Sequence, residues 1–303
     1  MKTLLNSLLK KLYPKRRSPL SKSTSGFTMI ELLVATIVAT IIIVPILTFV
    51  VDILNRDVRE QAKTNSEQEL QAAVDYIAQD MSQAFYVYDD DGVTAIEEQL
   101  PYSDDNEKTP ILVFWKREFV RDALEPSGGM CSSTNCDDTF VQSLVVYYLI
   151  EDDQEIWCQP SGSTCPKRIA RFQIQDGVRD TQGNYVCGFD GLPDCDSAKF
   201  EKSQGFNSYD RDNPTNWTKD GDYNLNKNKL LTLLNYIEDL TLDNVSDSNN
   251  LAQITIIGNA LRRSQNDFSC IEDASATPPY KDSPYCPKAT AQVGARSGFG
   301  TSE

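Results

Sequence analysis

Residues 25–52 have the sequence SGFTMIELLVATIVATIIIVPILTFVVD, and this stretch decides the fold. From Leu32 to Val51 every residue is apolar except three threonines. At about 1.5 Å of rise per residue, an α-helix over these positions extends roughly 30 Å, the hydrocarbon thickness of a bilayer. The stretch is therefore predicted to form a membrane-spanning helix.

Two residues at the start of this stretch do not suit an ordinary anchor or a secretory signal peptide. Glu31 places a carboxylate at the start of the apolar run. A charge deep in lipid costs about 3 kcal/mol, so an acid in such a helix usually has a partner. Gly26 precedes the apolar run, whereas the small residues of a secretory cleavage site follow it. Inside the run, Pro45 removes one helical hydrogen bond, so a kink or local opening is expected there.

Charge is distributed unevenly along the chain. The 303 residues carry a net charge of −15, from 29 basic and 44 acidic residues. Residues 1–26 hold +7 with no acid, so the remainder carries −22 (−15 less the +7). A basic head before an apolar helix predicts that the head stays in the cytoplasm and the acidic part crosses the membrane. The acidic balance argues against nucleic acid as a partner.

The sequence has no histidine and eight cysteines. Without histidine there are no His general bases and no His metal ligands, and no nucleophile motif is present, so the chain is not expected to be an enzyme. All the cysteines follow the apolar stretch, which predicts disulfides formed in an oxidising compartment. Their order suggests four local pairs among many connectivities. These pairs are Cys131–Cys136, Cys158–Cys165, Cys187–Cys195 and Cys270–Cys286.

The helix is predicted to continue beyond the apolar run. Apolar residues recur every three or four positions from Leu70 to Phe85, which indicates one face of an amphipathic helix. The prediction is a helix from Phe27 to about Tyr86, ended by the DDDG sequence at Asp89–Gly92.

The remaining sequence predicts strands separated by polar loops. The segments 111–115, 143–150 and 168–174 are rich in strand-forming residues, 230–243 predicts a short helix or a strand, and 253–261 predicts strands. The polar stretch Asp176–Lys229 is interpreted as an insertion or surface loop. The predicted fold class is α+β, with a long helix packed on an antiparallel sheet. The predicted parts are a leader (1–26), a membrane or filament-core helix (27–51), its amphipathic continuation (52–88), a disulfide-bonded sheet domain (89–263, with the insertion 176–229) and an irregular tail (264–303).

GFTMIE at residues 26–31, after a basic leader and before about twenty apolar residues, resembles the class III signal of type IV pilins and pseudopilins. The resemblance implies that a prepilin peptidase cleaves between Gly26 and Phe27 and methylates the new N-terminus of Phe27. Glu31 would then face a positive N-terminal amine, its own or that of a neighbouring subunit. Pro45 would be either a tolerated kink or a point where the helix bends on packing into a filament.

Three further segments are similar to the J-type minor pseudopilins and W-type minor pilins. They are AVDYIAQDMSQA at the helix end, VVYYL followed by RIARF, and LLNYIEDLTL before ITIIG. Large acidic chains with cysteines also resemble the pseudopilins of hormogonium polysaccharide secretion. The long leader, the cysteines and the insertion depart from a compact J-type domain.

This resemblance implies a minor subunit that primes or caps a type IV pilus-like filament used in secretion of protein or polysaccharide, or in motility. Its partners would be other major and minor pilins or pseudopilins and an inner-membrane assembly platform. The chain would be a single-pass inner-membrane protein with its C-terminal domain in the periplasm, later part of the filament. The alternatives are a type II secretion minor pseudopilin for protein export and a pilus-tip adhesin that binds a surface or glycan. Candidate contacts for the adhesin are Tyr209, Trp217 and Tyr223.

One segment resembles the start of a calcium loop. Its oxygen-bearing residues alternate at Asp220, Asp222, Asn224 and Asn226. The glycine at the sixth position and the glutamate at the twelfth are missing, and Leu231 occupies the twelfth. No cofactor is expected apart from this candidate for calcium, and the alternative is an acidic, solvated loop.

Overall fold

The computed structural model describes residues 26–126, 129–131, 135–162, 164–188, 191–195, 197–243, 251–272 and 279–294. The chain divides into two compact units, residues 1–55 and 56–303. Residues 1–25 of the predicted leader lie outside the described residues.

The first element is a helix of 53 residues, α1 (Met29–Met81). It passes through Pro45 without a break in its helical structure. In the second unit, buried side chains recur along one face of α1, at Leu70, Val74, Ile77 and Met81. This three- and four-residue spacing is the pattern that predicted an amphipathic helix.

A seven-stranded antiparallel sheet follows, with its strands in chain order. Each strand therefore pairs with its neighbours in sequence, as in a meander. The strands are β1 (Ala84–Val87), β2 (Lys108–Leu124), β3 (Asp137–Ile150), β4 (Lys167–Gln175), β5 (Leu231–Asp243), β6 (Leu251–Gly258) and β7 (Lys288–Gly294).

The alternation of side chains along the strands gives the sheet two buried faces. Phe114 and Val145 are register partners and belong to the cluster that packs against α1. Val113 and Val146, one position along, are also partners but belong to a second cluster on the other face. The domain therefore has α1 on one face of the sheet and other elements on the opposite face.

The second face is covered by a short helix and by the insertion. Helix α2 (Asp90–Ile96) is followed by a 3₁₀ turn, Glu97–Gln99. Phe206 and Trp217 of the insertion are 0% and 3% exposed, and both belong to the second cluster. The stretch predicted as a surface loop thus supplies part of the core, although it contains only one 3₁₀ turn, Pro214–Asn216, and isolated bridges among the described residues.

Several predicted boundaries differ from the structure. Helix α1 ends at Met81 rather than near Tyr86, because residues 84–87 pair with β2 as strand β1. The predicted helix breaker starts a helix instead, since the Asp89 Oδ1 accepts the Gly92 N–H at 2.8 Å.

The C-terminal residues also differ from the prediction of an irregular tail, because β7 pairs with β6 from Leu251↔Gly294 to Ile257↔Lys288. Four disulfides join the neighbouring cysteines that the order of the chain suggested. They are Cys131–Cys136, Cys158–Cys165, Cys187–Cys195 and Cys270–Cys286.

Candidate functional site: the N-terminal apolar helix and a buried ionic cluster

The start of α1 is organised by two side chains. The Thr28 Oγ1 accepts the backbone N–H of Glu31 at 3.3 Å and lies 3.5 Å from the Glu31 Oε2. A threonine followed three residues later by a glutamate is the pattern of a capping box, and an acid in the first turn is favoured by the helix dipole. Glu31 therefore has a local role at the helix N-terminus, whatever partner it also has.

The structure gives no internal reason for a glycine at position 26. A Cβ added there would meet nothing within 4 Å, and the backbone is outside the left-handed region that favours glycine. The described residues therefore do not explain the glycine at this position.

The first unit exposes a long apolar surface. Every side chain from Gly26 to Asn55 is exposed, including Phe27 at 80% and Leu47 at 57%. The most apolar window of α1 has none of its residues buried, and the helix is long and apolar enough to cross a membrane. Soluble monomers rarely expose a continuous apolar surface of this kind, so the helix is compatible with a single span of a membrane.

Polar atoms within this apolar surface are satisfied inside the helix. The hydroxyls of Thr36, Thr40 and Thr48 donate to the carbonyls of Leu33, Ile37 and Val44 at 2.8–3.0 Å. Such bonds remove the cost of placing a hydroxyl in hydrocarbon. The three threonines are therefore compatible with a lipid or helix-packed environment.

Sequence reasoning missed a buried ionic cluster at the C-terminal end of α1. The Asp80 carboxylate accepts from the Lys116 Nζ of β2 at 2.8 Å, from the Tyr147 hydroxyl of β3 at 2.8 Å and from the Arg171 Nε of β4 at 2.7 Å. These four residues are at most 9% exposed. One signal was present in the sequence, since Asp80 lies three residues after Ile77 on the apolar face of the helix.

The charges of this cluster hold one another in their ionised forms. Burial raises the pKa of Asp80, but the hydrogen bonds and positive charges of Arg171 and Lys116 outweigh it and lower the pKa below its ordinary value. Burial lowers the pKa of Arg171, and Asp80 more than reverses this. Burial and then the Asp80 charge raise the pKa of Tyr147, which stays a neutral donor. The cluster is built as a connection between helix and sheet.

Two residues of the candidate calcium loop, Asp220 and Asn224, have partners of other kinds. The Asp220 Oδ2 lies 2.6 Å from the Lys202 Nζ, and this hydrogen bond, with the lysine charge, lowers the pKa of Asp220. The Asn224 Oδ1 accepts the Lys227 N–H at 3.1 Å. Asp222 and Asn226 are exposed. Within the described ranges, no group of three or more Asp, Glu or Cys is arranged to bind a metal ion. Calcium binding stays a prediction.

The aromatic residues proposed as adhesin contacts pack against other rings of the domain; Trp217 is buried, and Tyr209 and Tyr223 are half-buried. The Trp217 ring lies edge-on to that of Trp115, with centroids 5.7 Å apart. Tyr223 makes the same kind of contact with Phe172 at 5.8 Å, and the ring of Tyr209 lies 5.5 Å from Trp115. These ring contacts are those of loop packing, and a role of the three residues in adhesion stays a prediction.

Comparison of the chain with models of known families, with curated proteins and with solved structures finds no match. The assignment of a function therefore depends on the residues of the chain itself.

Proposed function

We propose that this chain is a minor subunit of a type IV pilus-like filament, in which it primes or caps assembly. The observation that carries the proposal is the exposed apolar part of α1, which starts directly after GFT and bears Glu31 in its first turn. The same helix provides the buried face on which the sheet packs. Such a subunit needs one helix with two surfaces, one for lipid or neighbouring helices and one for its own domain.

In this function a prepilin peptidase removes residues 1–26 and methylates Phe27. The lack of any packing reason for glycine at position 26 supports recognition by an external enzyme. The subunit is then held in the inner membrane by residues 27–51, with its disulfide-bonded domain outside the cytoplasm. It associates there with other pilins or pseudopilins and with an assembly platform, and it needs no catalytic activity of its own.

A minor role is favoured over that of the major subunit by the bulk of the domain. The insertion between β4 and β5 covers one face of the sheet and adds about fifty residues to it. A major subunit must fit a dense helical lattice, whereas a subunit at a tip has fewer neighbours. The tip adhesin is less favoured, because Trp217 is buried in the second cluster, and Tyr209 and Tyr223 are partly buried against it.

Substitution at Glu31 tests this function. With Glu31→Ala, we expect cleavage after Gly26 to continue while incorporation into filaments falls, because the carboxylate no longer meets an N-terminal amine. Thr28→Ala is the matched control, since it removes the capping oxygen and keeps the acid. Cleavage is measured by mass spectrometry of the N-terminus, and incorporation by immunoblot of sheared filaments.

Equal incorporation of Glu31→Ala and wild type would contradict the proposed pairing. An equal loss in Thr28→Ala would reduce the role of Glu31 to capping. Deletion of the gene then identifies the machine: loss of surface pili indicates a minor pilin, and retention of an exported protein or polysaccharide indicates a secretion pseudopilin.

A further inference from the structure

A cleft lined by cations lies beside the buried ionic cluster, in a chain that is otherwise acidic. This basic cleft, of about 390 Å³, is bounded by β4 and by residues 198–203 and 227–231, most of them in the insertion. Its volume is within the range of ligand sites, roughly 300–1,000 Å³. Five cations line it, against two acids, Glu118 and Glu201. The cations are Arg171, Lys199, Lys202, Lys227 and Lys229.

The walls of the basic cleft are fixed by hydrogen bonds between the insertion and β4. The Gln175 N–H donates to the Ser203 Oγ at 3.1 Å, and the Gln175 side chain donates to the Lys199 carbonyl at 2.8 Å. On the other side, the Asn228 side chain donates to the Gln173 carbonyl at 3.1 Å. The insertion thus returns to the same strand twice, and the space between the two contacts is the cleft.

Part of the positive charge in the cleft is not neutralised by the protein. Lys202 pairs with Asp220, and Lys227 pairs with Glu201. Lys199, however, donates to a backbone carbonyl, that of Arg121, at 3.0 Å. Lys229 is exposed and has no ion pair among the described residues. The Lys199 ammonium also lies 4.7 Å from the centre of the Phe200 ring. Among the described residues, neither Lys199 nor Lys229 is neutralised by an acidic side chain, and this remaining positive charge favours an anionic ligand.

The other lining groups indicate what kind of anion fits. Among the described residues, they are mainly amides and a hydroxyl, with Ala198 and Leu231 as the apolar members. That part of the lining has no aromatic ring on which a nucleic-acid base could stack, and no apolar pocket for a peptide side chain. Sugar hydroxyls suit amide and carboxylate partners, and uronate carboxylates suit the lysines.

The basic cleft also continues along the sheet. A second cavity of about 250 Å³ shares Glu118, Arg171 and Gln173 with it and reaches Tyr76 and Gln79 on α1. The Arg171 at the junction is held in place by Asp80. A groove that runs on past one site suits a chain molecule better than a single small anion.

From this geometry we propose that the basic cleft binds an acidic polysaccharide, with Lys199 and Lys229 contacting its carboxylates. The site depends only on the folded domain, so it goes beyond the filament function and does not require it.

The test is binding of polygalacturonate to the full chain in detergent micelles, measured by titration calorimetry at 50 mM and 200 mM salt. We expect binding that weakens with salt, and an affinity about fivefold lower for Lys199→Gln/Lys229→Gln, because each exposed charge pair contributes modestly. The control Lys63→Gln/Lys288→Gln makes the same change in charge outside the cleft and should bind as wild type does.

Three results would overturn the proposal. They are no binding of polygalacturonate by wild type, an equal loss of affinity in the control variant, and equally tight binding of polyglutamate or inorganic phosphate, which would indicate a response to charge alone. Neutral dextran should not bind. Because none of these measurements depends on filaments, failure here leaves the Glu31 experiment unaffected, and the reverse is also true.

Discussion

Asp80 and Arg171 are joined by two hydrogen bonds, from Nε to Oδ2 at 2.7 Å and from Nη2 to Oδ1 at 3.2 Å. The two residues are 91 positions apart in the sequence. This pair therefore fixes the end of α1 to β4, in the centre of the sheet. Lys116 and Tyr147 hold the same carboxylate from β2 and β3, so one side chain connects the helix to three consecutive strands.

Substitution of Asp80 is expected to destabilise the domain strongly. Asp80→Asn leaves Arg171 buried without its counter-charge and leaves Lys116 with Glu118 as its ion-pair partner. Breaking a buried pair in this way costs about 3–5 kcal/mol. Urea unfolding followed by circular dichroism measures the loss in the free energy of unfolding. Asp75→Asn, an exposed acid on the same helix, is the matched control and should change it by less than about 0.5 kcal/mol. Equal stabilities of the two variants would show that the cluster does not connect helix and sheet.

The same carboxylate predicts a dependence of stability on pH. The pKa of Asp80 is lower in the folded state than its ordinary value of about 3.9, so the unfolded state takes up the proton first as the pH falls. The stabilisation of the folded state by the Asp80 carboxylate is complete above the ordinary pKa, which applies to the unfolded state. It is lost as the pH falls through the lower pKa of Asp80 in the folded state.

The difference in unfolding free energy between wild type and Asp80→Asn should therefore be constant from about pH 5 to 7 and shrink below about pH 4. Unfolding curves of both proteins over this range check it. A difference that stays constant down to pH 2 would mean that the Asp80 charge does not provide the stabilisation.

The sequence predicts those parts of this fold whose signals are local. The apolar spacing from Leu70 to Met81 and the strand-forming run 143–150 identify their elements, because a helix face or a strand is encoded within a few residues. Strand β7, KATAQVG, alternates polar and apolar residues, but two of its apolar residues are alanines, which are poor strand formers. Its local signal is therefore weak, and its pairing with β6 places it in the sheet.

The contacts of the ionic cluster could not be predicted, because they join residues that are distant in the sequence. Asp80 meets partners 36, 67 and 91 residues away, and nothing in a single sequence states which cation pairs with which acid. Trp217 lies in a polar stretch, and its burial depends on the sheet face that happens to be open to it. By contrast, residues 26–31, which resemble a class III signal, are contiguous, so this resemblance is visible in the sequence without the fold.

Trp217 offers a test of whether the insertion is part of the core. Its ring is buried against Trp115, and its indole N–H donates to the Asn207 carbonyl at 3.1 Å. Trp217→Ala should lower the free energy of unfolding by about 3–5 kcal/mol, the usual cost of removing a buried aromatic side chain. Phe140→Ala is the control, because Phe140 is 62% exposed, and it should have a much smaller effect. A Trp217→Ala variant as stable as wild type would show that the insertion is a surface loop that does not contribute to the stability of the core.

Substitution of Gly26 offers a test that distinguishes the proposed processing from folding. Gly26→Val should abolish cleavage by the peptidase, because a β-branched side chain then stands at the proposed cleavage position. The stability of the domain should stay that of wild type, since a Cβ at this position meets nothing within 4 Å. Mass spectrometry in cells that contain a prepilin peptidase should find a precursor that still carries residues 1–26, and urea unfolding should give an unchanged midpoint. Ser66→Ala, a buried position on α1, is a useful comparison, because any effect there should appear in stability and not in cleavage. Normal cleavage of Gly26→Val would leave the glycine without a role and would remove the processing step from the proposed function.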